Sequence, residues 1–205
     1  MDNAVALVQT YLHMNGYFTV AEYPIIGSGR HGGYRTVTDL DILAFRFSGA
    51  TRLVPILHGK GDDSAEREEP DPMLGIPADE ADMLIGEVKE GRAQMNEAAT
   101  DPVVLEAALA RFGCCPSMNT RQVAEMLLRK GQTVLPSGHR LRMVAFGLVS
   151  PHEAHPVYLT ISMGHVVEFL QKYLRRHWEA LRHAQFKDPV LGFLATLEKA
   201  RQGAM

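Results

Sequence analysis

Cysteine is scarce in this chain. Its 205 residues hold two, Cys114 and Cys115, and neighbours in sequence rarely meet the geometry of a disulfide. A disulfide framework is therefore excluded, and with no further Cys nearby to complete a zinc site the pair is read as buried or semi-buried thiols without assigned chemistry. Long apolar runs are also missing. No stretch of about 18 apolar residues offers a bilayer span, and the N-terminus lacks a basic segment followed by an apolar one. The expectation is a cytosolic, cytoplasmic protein with no membrane partner. Positive net charge is absent as well: the formal value is -3, unfavourable at first sight for a polyanionic ligand. Between Asp62 and Asp82, however, nine acids and one base, Arg67, give a local charge of -8, which leaves +5 for the rest. An acidic loop can thus hide a moderately basic body.

What is present is ordinary globular material, with 46 % hydrophobic and 22 % charged residues. Length, and the lack of any repeat or linker, favour one α/β domain over residues 1–205. The most informative stretch is Met83-Leu84-Ile85-Gly86-Glu87-Val88-Lys89-Glu90-Gly91. On a strand, side chains alternate between faces, so Glu87 and Lys89 share one face while Leu84, Gly86 and Val88 take the other. A run this apolar reads as a central strand covered on both sides, where charge is costly unless a metal, a counter-charge or a substrate compensates it. A second apolar strand, Thr38-Asp39-Leu40-Asp41-Ile42-Leu43-Ala44-Phe45, brings further acids. With Asp41 beside Glu87, two carboxylates would converge near one ammonium, and hard divalent cations bind such oxygen clusters.

Thr-Asp-Leu-Asp-Ile-Leu-Ala followed by Ile-Gly-Glu-Val-Lys-Glu-Gly resembles the PD-(D/E)xK, or restriction-endonuclease-like, nuclease superfamily over roughly residues 4–112. The proline that names the motif is replaced by Leu40. The resemblance implies an α/β fold with a mixed β-sheet core flanked by helices, here with added C-terminal helices over 164–202. It implies metal-dependent hydrolysis of phosphodiester bonds in nucleic acid, with DNA as the expected polymer. By the same resemblance Asp41 and Glu87 hold Mg²⁺ (or Mn²⁺), joined by the carbonyl of Val88, and Lys89 orients or deprotonates the attacking water. Glu22, in the first strand, and Asp39 are accessory candidates. Arg92 and Gln94, just past the reactive strand, are candidates for the phosphate backbone. A homodimer is compatible, since dimers are frequent among relatives that cut duplexes.

The remaining elements follow from period and punctuation. Ala4 to Asn15 is a helix capped by Asp2 or Asn3 and ended by Gly16, burying Val5, Val8, Tyr11 and Leu12; Tyr17 to Ile26 is a strand. Leu53 to Leu57 extends the pairing. Residues 58–82, rich in Gly, Pro and acids, read as a surface-loop insertion that separates Asp41 from Glu87 by 46 positions. Asp101-Pro102 starts a helix toward Gly113, a second runs from Thr120 to Gly131, and Pro136-Ser137-Gly138-His139 turns a hairpin. His152 and His155 lack a third metal ligand nearby. Ser162 caps a long helix from Gly164 that buries Val166, Phe169, Leu170, Tyr173 and Leu181. Lys172, Arg175, Arg176, Arg182 and His183 on its other side form either a solvated face or a phosphate-contacting ridge beside Trp178. A last helix runs from about Pro189 to Arg201.

Two other classes of function stay open. Gly27-Ser28-Gly29-Arg30-His31-Gly32-Gly33 contains G-x-G-x-x-G, but a strand follows within a few residues, leaving no room for the helix a dinucleotide site requires. Gly27-Ser28 followed by Asp39-Leu40-Asp41 also resembles the polymerase-β-like nucleotidyltransferases, in which the Gly-Ser loop holds nucleotide phosphates and the two acids bind metals. The third reading is a non-catalytic interaction protein on a nuclease-like scaffold.

Overall fold

The computed structural model describes residues 2–28, 32–50, 52–54, 66–76, 80–113, 120–149 and 156–203. Cys114, Cys115, His152, His155, Arg30, His31 and, in the acidic stretch, Asp62, Asp63 and Asp79 lie outside the described residues. The chain is mixed α/β, with a curled mixed sheet flanked by helices on both faces.

Helix α1 (Asn3–Met14) opens with the Asp2 carboxylate accepting the Ala4 N–H at 2.8 Å, and its Val8, Tyr11 and Leu12 are fully buried. Two long antiparallel strands follow, β1 (Phe18–Ser28) and β2 (Tyr34–Arg46). The second begins earlier than its apolar run suggests, because pairing with β1 extends it through the polar residues from Tyr34 onward. Among the described residues, strands β3 (Arg52–Val54) and β4 (Glu66–Glu68) pair with each other and not with the main sheet, so Leu53 and Val54 do not extend it, and 55–57 lie outside the described residues.

Strand β5 (Ala81–Arg92) is central, antiparallel to β2 on one side and parallel to β7 (His139–Val149) on the other. The outer strands are β6 (Gln132–Val134), antiparallel to β7, and β8 (Leu159–Ser162), parallel to it. Leu84 and Val88 pack under α1, α4 (Met163–Arg176) and α6 (Pro189–Gly203), whereas Met83 and Ile85 pack under α2 (Pro102–Phe112) and α3 (Thr120–Lys130). Full burial of one such aliphatic side chain contributes about 1.5–3 kcal/mol, so coverage on both faces fixes the register of β5.

Two sequence expectations need correction. The stretch 58–82 is not a solvated loop throughout: Asp71, Leu74 and Asp82 are buried, and Pro72–Leu74 form a 3-10 turn capped by the Asp71 carboxylate. The helix from 164 is also not continuous. It ends at His177 (φ -103°, ψ 20°), and α5 (Trp178–Leu181) follows as a single turn. That break carries Trp178 and Leu181 onto the core and divides the basic ridge in two.

Candidate active site at a split in the sheet

The ladder between β2 and β5 stops at Ile42↔Gly86. Past this point β1 and β2 remain paired as far as Ser28↔Tyr34, and β5 and β7 as far as Arg92↔Val149. The sheet therefore forks, and Asp41 and Glu87 sit one step beyond the last shared pair, facing each other across the crotch. A split would leave backbone donors unpaired, which is costly in a buried strand. The Asp41 carboxylate resolves this by accepting the Val88 N–H at 2.8 Å.

Glu87 is only 2 % exposed, whereas the Lys89 side chain is 35 % exposed. The Lys89 ammonium donates to Glu87 Oε1, and Glu87 Oε2 is buried without a hydrogen-bond partner. An unpaired buried carboxylate oxygen is expensive. Burial pushes the Glu87 carboxyl above its ordinary range; Lys89 opposes this, the Asp41 charge adds to it, and the Asn96 amide favours the ionised form. Asp41 is raised for the same first reason, burial, against which the Val88 N–H and Lys89 work, while the charges of Asp2 and Glu22 push it further up. Both carboxyls are thus held in a setting that under-compensates their charge.

Glu22 stands level with Asp41 on β1, between the pairs Ala21↔Ile42 and Tyr23↔Leu40. Its φ of 52° makes it the one non-glycine in the left-handed region among the described residues, a conformation that costs of order 1 kcal/mol or more. Glu22 Oε1 accepts the Asp2 N–H at 3.1 Å, so the first turn of α1 is tied to the same row of acids. Among the described residues, no group of three or more His, Cys, Asp or Glu side chains is close enough to hold a metal ion. The centre offers two carboxylates, with Glu22 flanking them.

The other candidates divide. Arg92 and Gln94 are exposed at the β5 end of the fork. They are held there because the chain at 92–93 crosses directly over Gly147, where an added Cβ would fall 2.3 Å from the Ala93 nitrogen. Asp39 is exposed, opposite Pro24 on the β1/β2 arm. Ser28 lies six residues beyond the level of Asp41, about 20 Å at ~3.3 Å per residue, so the Gly27-Ser28 element and the acids do not share a cleft. Lys172 pairs with Glu168 at 2.6 Å and Arg175 with Glu198 at 3.3 Å, and Arg176 is on the same exposed turn of α4. These three basic residues decorate α4 and are not gathered at the acids. Asp2 and Asn96 are participants whose place beside the acids the sequence did not reveal. Asp2 was visible only as a helix cap, and Asn96 only as a polar residue after the strand that could approach a phosphate backbone beside Arg92 and Gln94.

No helix among the described residues is long and apolar enough to cross a membrane. No protein-family model matches the chain, and neither a curated protein nor a solved structure does.

Proposed function

We propose that this chain is a metal-dependent nuclease of the PD-(D/E)xK type, hydrolysing phosphodiester bonds in DNA. One observation carries the reading. Two carboxylates and one ammonium meet where β2 and β5 part, and Glu87 Oε2 is left buried with no partner. With the separate β3/β4 ladder set aside, the order α1, β1, β2, β5, then α2 and α3, then β6 and β7 is compatible with the one that superfamily implies, and a restriction-endonuclease-like core is part of the proposal.

The residues suit a hard cation. Mg²⁺ is commonly bound through one or two carboxylates, completed by water and substrate phosphate, and Asp41 and Glu87 would hold it, with the Val88 carbonyl as the third protein oxygen. When bound, such an ion supplies Lewis acidity and an activated water. The chain's own groups do the rest. The Val88 N–H fixes the Asp41 carboxylate, Glu87 holds the Lys89 ammonium at the mouth of the site, and Lys89 then steers the water and offsets the negative charge that grows on the phosphoryl oxygens. Arg92 and Gln94 stand where a phosphate backbone would leave the site. The nucleotidyltransferase reading lacks comparable support, because Ser28 is remote from the acids.

The test is cleavage of plasmid DNA with Mg²⁺ or Mn²⁺. Wild type is expected to cut, and Asp41→Asn, Glu87→Gln and Lys89→Ala to slow cutting by about 100-fold or more, the scale of a lost acid–base or charge-stabilising group. Cutting by Lys89→Ala at the wild-type rate would remove the assignment.

A further inference from the structure

Beyond Ile25 and Leu40, the last core residues on their strands, the β1/β2 arm leaves the body of the protein. Its outer part consists of Ile26–Ser28 paired with Tyr34–Thr36, and among the described residues it pairs with no other strand. Ile26 is 63 % exposed, Tyr34 84 % and Val37 48 %, and Arg35 is exposed between them. This ribbon is built to be thin. Gly27 lets Val37 lie flat across it, since an added Cβ would come within 2.7 Å of Val37 Cγ2. Charge is graded along it: Glu22, Asp39 and Asp41 are at the root, whereas no acid occurs from Tyr23 to Thr38 in a chain of net charge -3.

We propose that the ribbon is a duplex-reading arm that enters the major groove of B-form DNA beside the cut, making duplex DNA the substrate of the proposed nuclease. This inference rests on the nuclease reading for the placement of the cut. The B-form major groove, about 12 Å wide, admits a two-stranded ribbon. The major groove of duplex RNA is deep and narrow, and side chains cannot read it. From the level of Asp41 to Tyr34 the arm extends seven residues, about 23 Å, which is ~7 base pairs at ~3.4 Å each. With a phosphate at the crotch between Asp41 and Glu87, Arg35 and Tyr34 reach sugar-phosphate and base edges about that far along. The β5/β7 arm, with Lys89 and Arg92 on either side of the exposed Glu90, flanks the other side. Cations on both arms and acids at the crotch match a polyanion whose one reacting phosphate lies at the acids.

The experiment measures fluorescence anisotropy of a labelled 30-base-pair DNA duplex, the same duplex as RNA, and one DNA strand alone. Ca²⁺ replaces Mg²⁺ for binding, and cleavage is followed separately with Mg²⁺. The proteins are wild type, Y34S/R35S and Arg35→Glu, each checked by thermal melting; the exposed tip makes both variants tolerable to the fold. Wild type is expected to bind duplex DNA at least about tenfold more tightly than duplex RNA. Both variants are expected to lose about tenfold or more for duplex DNA, with the slope of log K against log salt reduced by about one for the lost Arg35 contact. Unchanged binding by both variants, while Lys89→Ala still abolishes cleavage, overturns the ribbon and leaves the nuclease standing. Ribbon-dependent binding with Lys89→Ala cleaving normally overturns the nuclease and leaves the ribbon. Absence of duplex binding by wild type overturns the ribbon proposal, as does a change of oligomeric state in Y34S/R35S by sedimentation, which would make the arm a contact between copies.

Discussion

Strand β5 carries two buried acids five residues apart, and they are treated in opposite ways. At its start, Asp82 is fully buried and receives both Arg142 Nε, at 2.9 Å, and Arg142 Nη2, at 2.7 Å, as well as the Tyr17 hydroxyl. Arg142 also donates to the Leu74 carbonyl at 2.6 Å, and although burial works to lower its proton affinity, Asp82 outweighs that and raises it. At the other end, Glu87 has a lysine that is partly in solvent and the nearby Asn96 amide, and its Oε2 makes no well-formed hydrogen bond. The first arrangement closes its own electrostatics and needs nothing else. The second is incomplete, and incompleteness in a buried site is what a ligand exploits. The contrast separates a charge that holds the fold from charges that the proposed function would use.

Deleting a partner breaks the contrast most strongly at the Asp82 end. Arg142→Met leaves Asp82 buried and unpaired, and a loss of about 3–5 kcal/mol of stability is expected, read as a lowered urea midpoint with an unchanged m-value. Glu87→Gln should move the other way. Removing an under-compensated charge is expected to raise the metal-free melting temperature by about 2–4 °C, near 1 kcal/mol for a chain of this length, while activity is lost.

The pH dependence sharpens the same point. Asp41 and Glu87 have raised proton affinities in the folded state, so the folded protein binds more protons than the unfolded chain between their raised values and about pH 4. Metal-free stability from these two groups therefore grows as pH falls through that window and is lost as pH rises through it. Asp71 has the opposite sign. Burial works to raise it, but His165 at 2.5 Å, the Met73 N–H and the Tyr11 hydroxyl outweigh this and hold it below the usual carboxylate range. Its contribution is present above about pH 4 and falls away as pH drops through its depressed value. Urea midpoints from pH 7 to 4 should show a smaller gain on acidification for Glu87→Gln than for wild type. The least effect belongs to the exposed Lys172–Glu168 pair: Lys172→Ala is expected to leave the urea midpoint and the cleavage rate as they are.

The candidate site was legible because two simple rules meet there. Alternation on an apolar strand put Glu87 and Lys89 on one face, and the expense of buried charge drew attention to Asp41 as a second acid that a shared cation would have to offset. Helix limits such as Asp101 and Gly113 followed from their caps. The companion network was not legible. Asp82 looked like one more acid in an acidic stretch, since its partners Tyr17 and Arg142 are 65 and 60 positions away; Asp71 meets His165 across 94 positions. Only tertiary packing sorts those acids from their solvated neighbours. The fork was hidden for a similar reason, because where two strands part depends on the register of three ladders and not on the residues of any one strand. The break at His177 is likewise set by where Trp178 and Leu181 find the core.

The central claim is that Asp41 and Glu87 are under-compensated because a divalent cation completes them. Calorimetric titration of the metal-free protein with Mn²⁺ tests this without any substrate. Wild type and Lys89→Ala are expected to bind Mn²⁺ at a site that Asp41→Asn and Glu87→Gln both lose, with all four proteins folded by their melting curves. Equal Mn²⁺ binding by wild type and Glu87→Gln, or none by wild type, would contradict it.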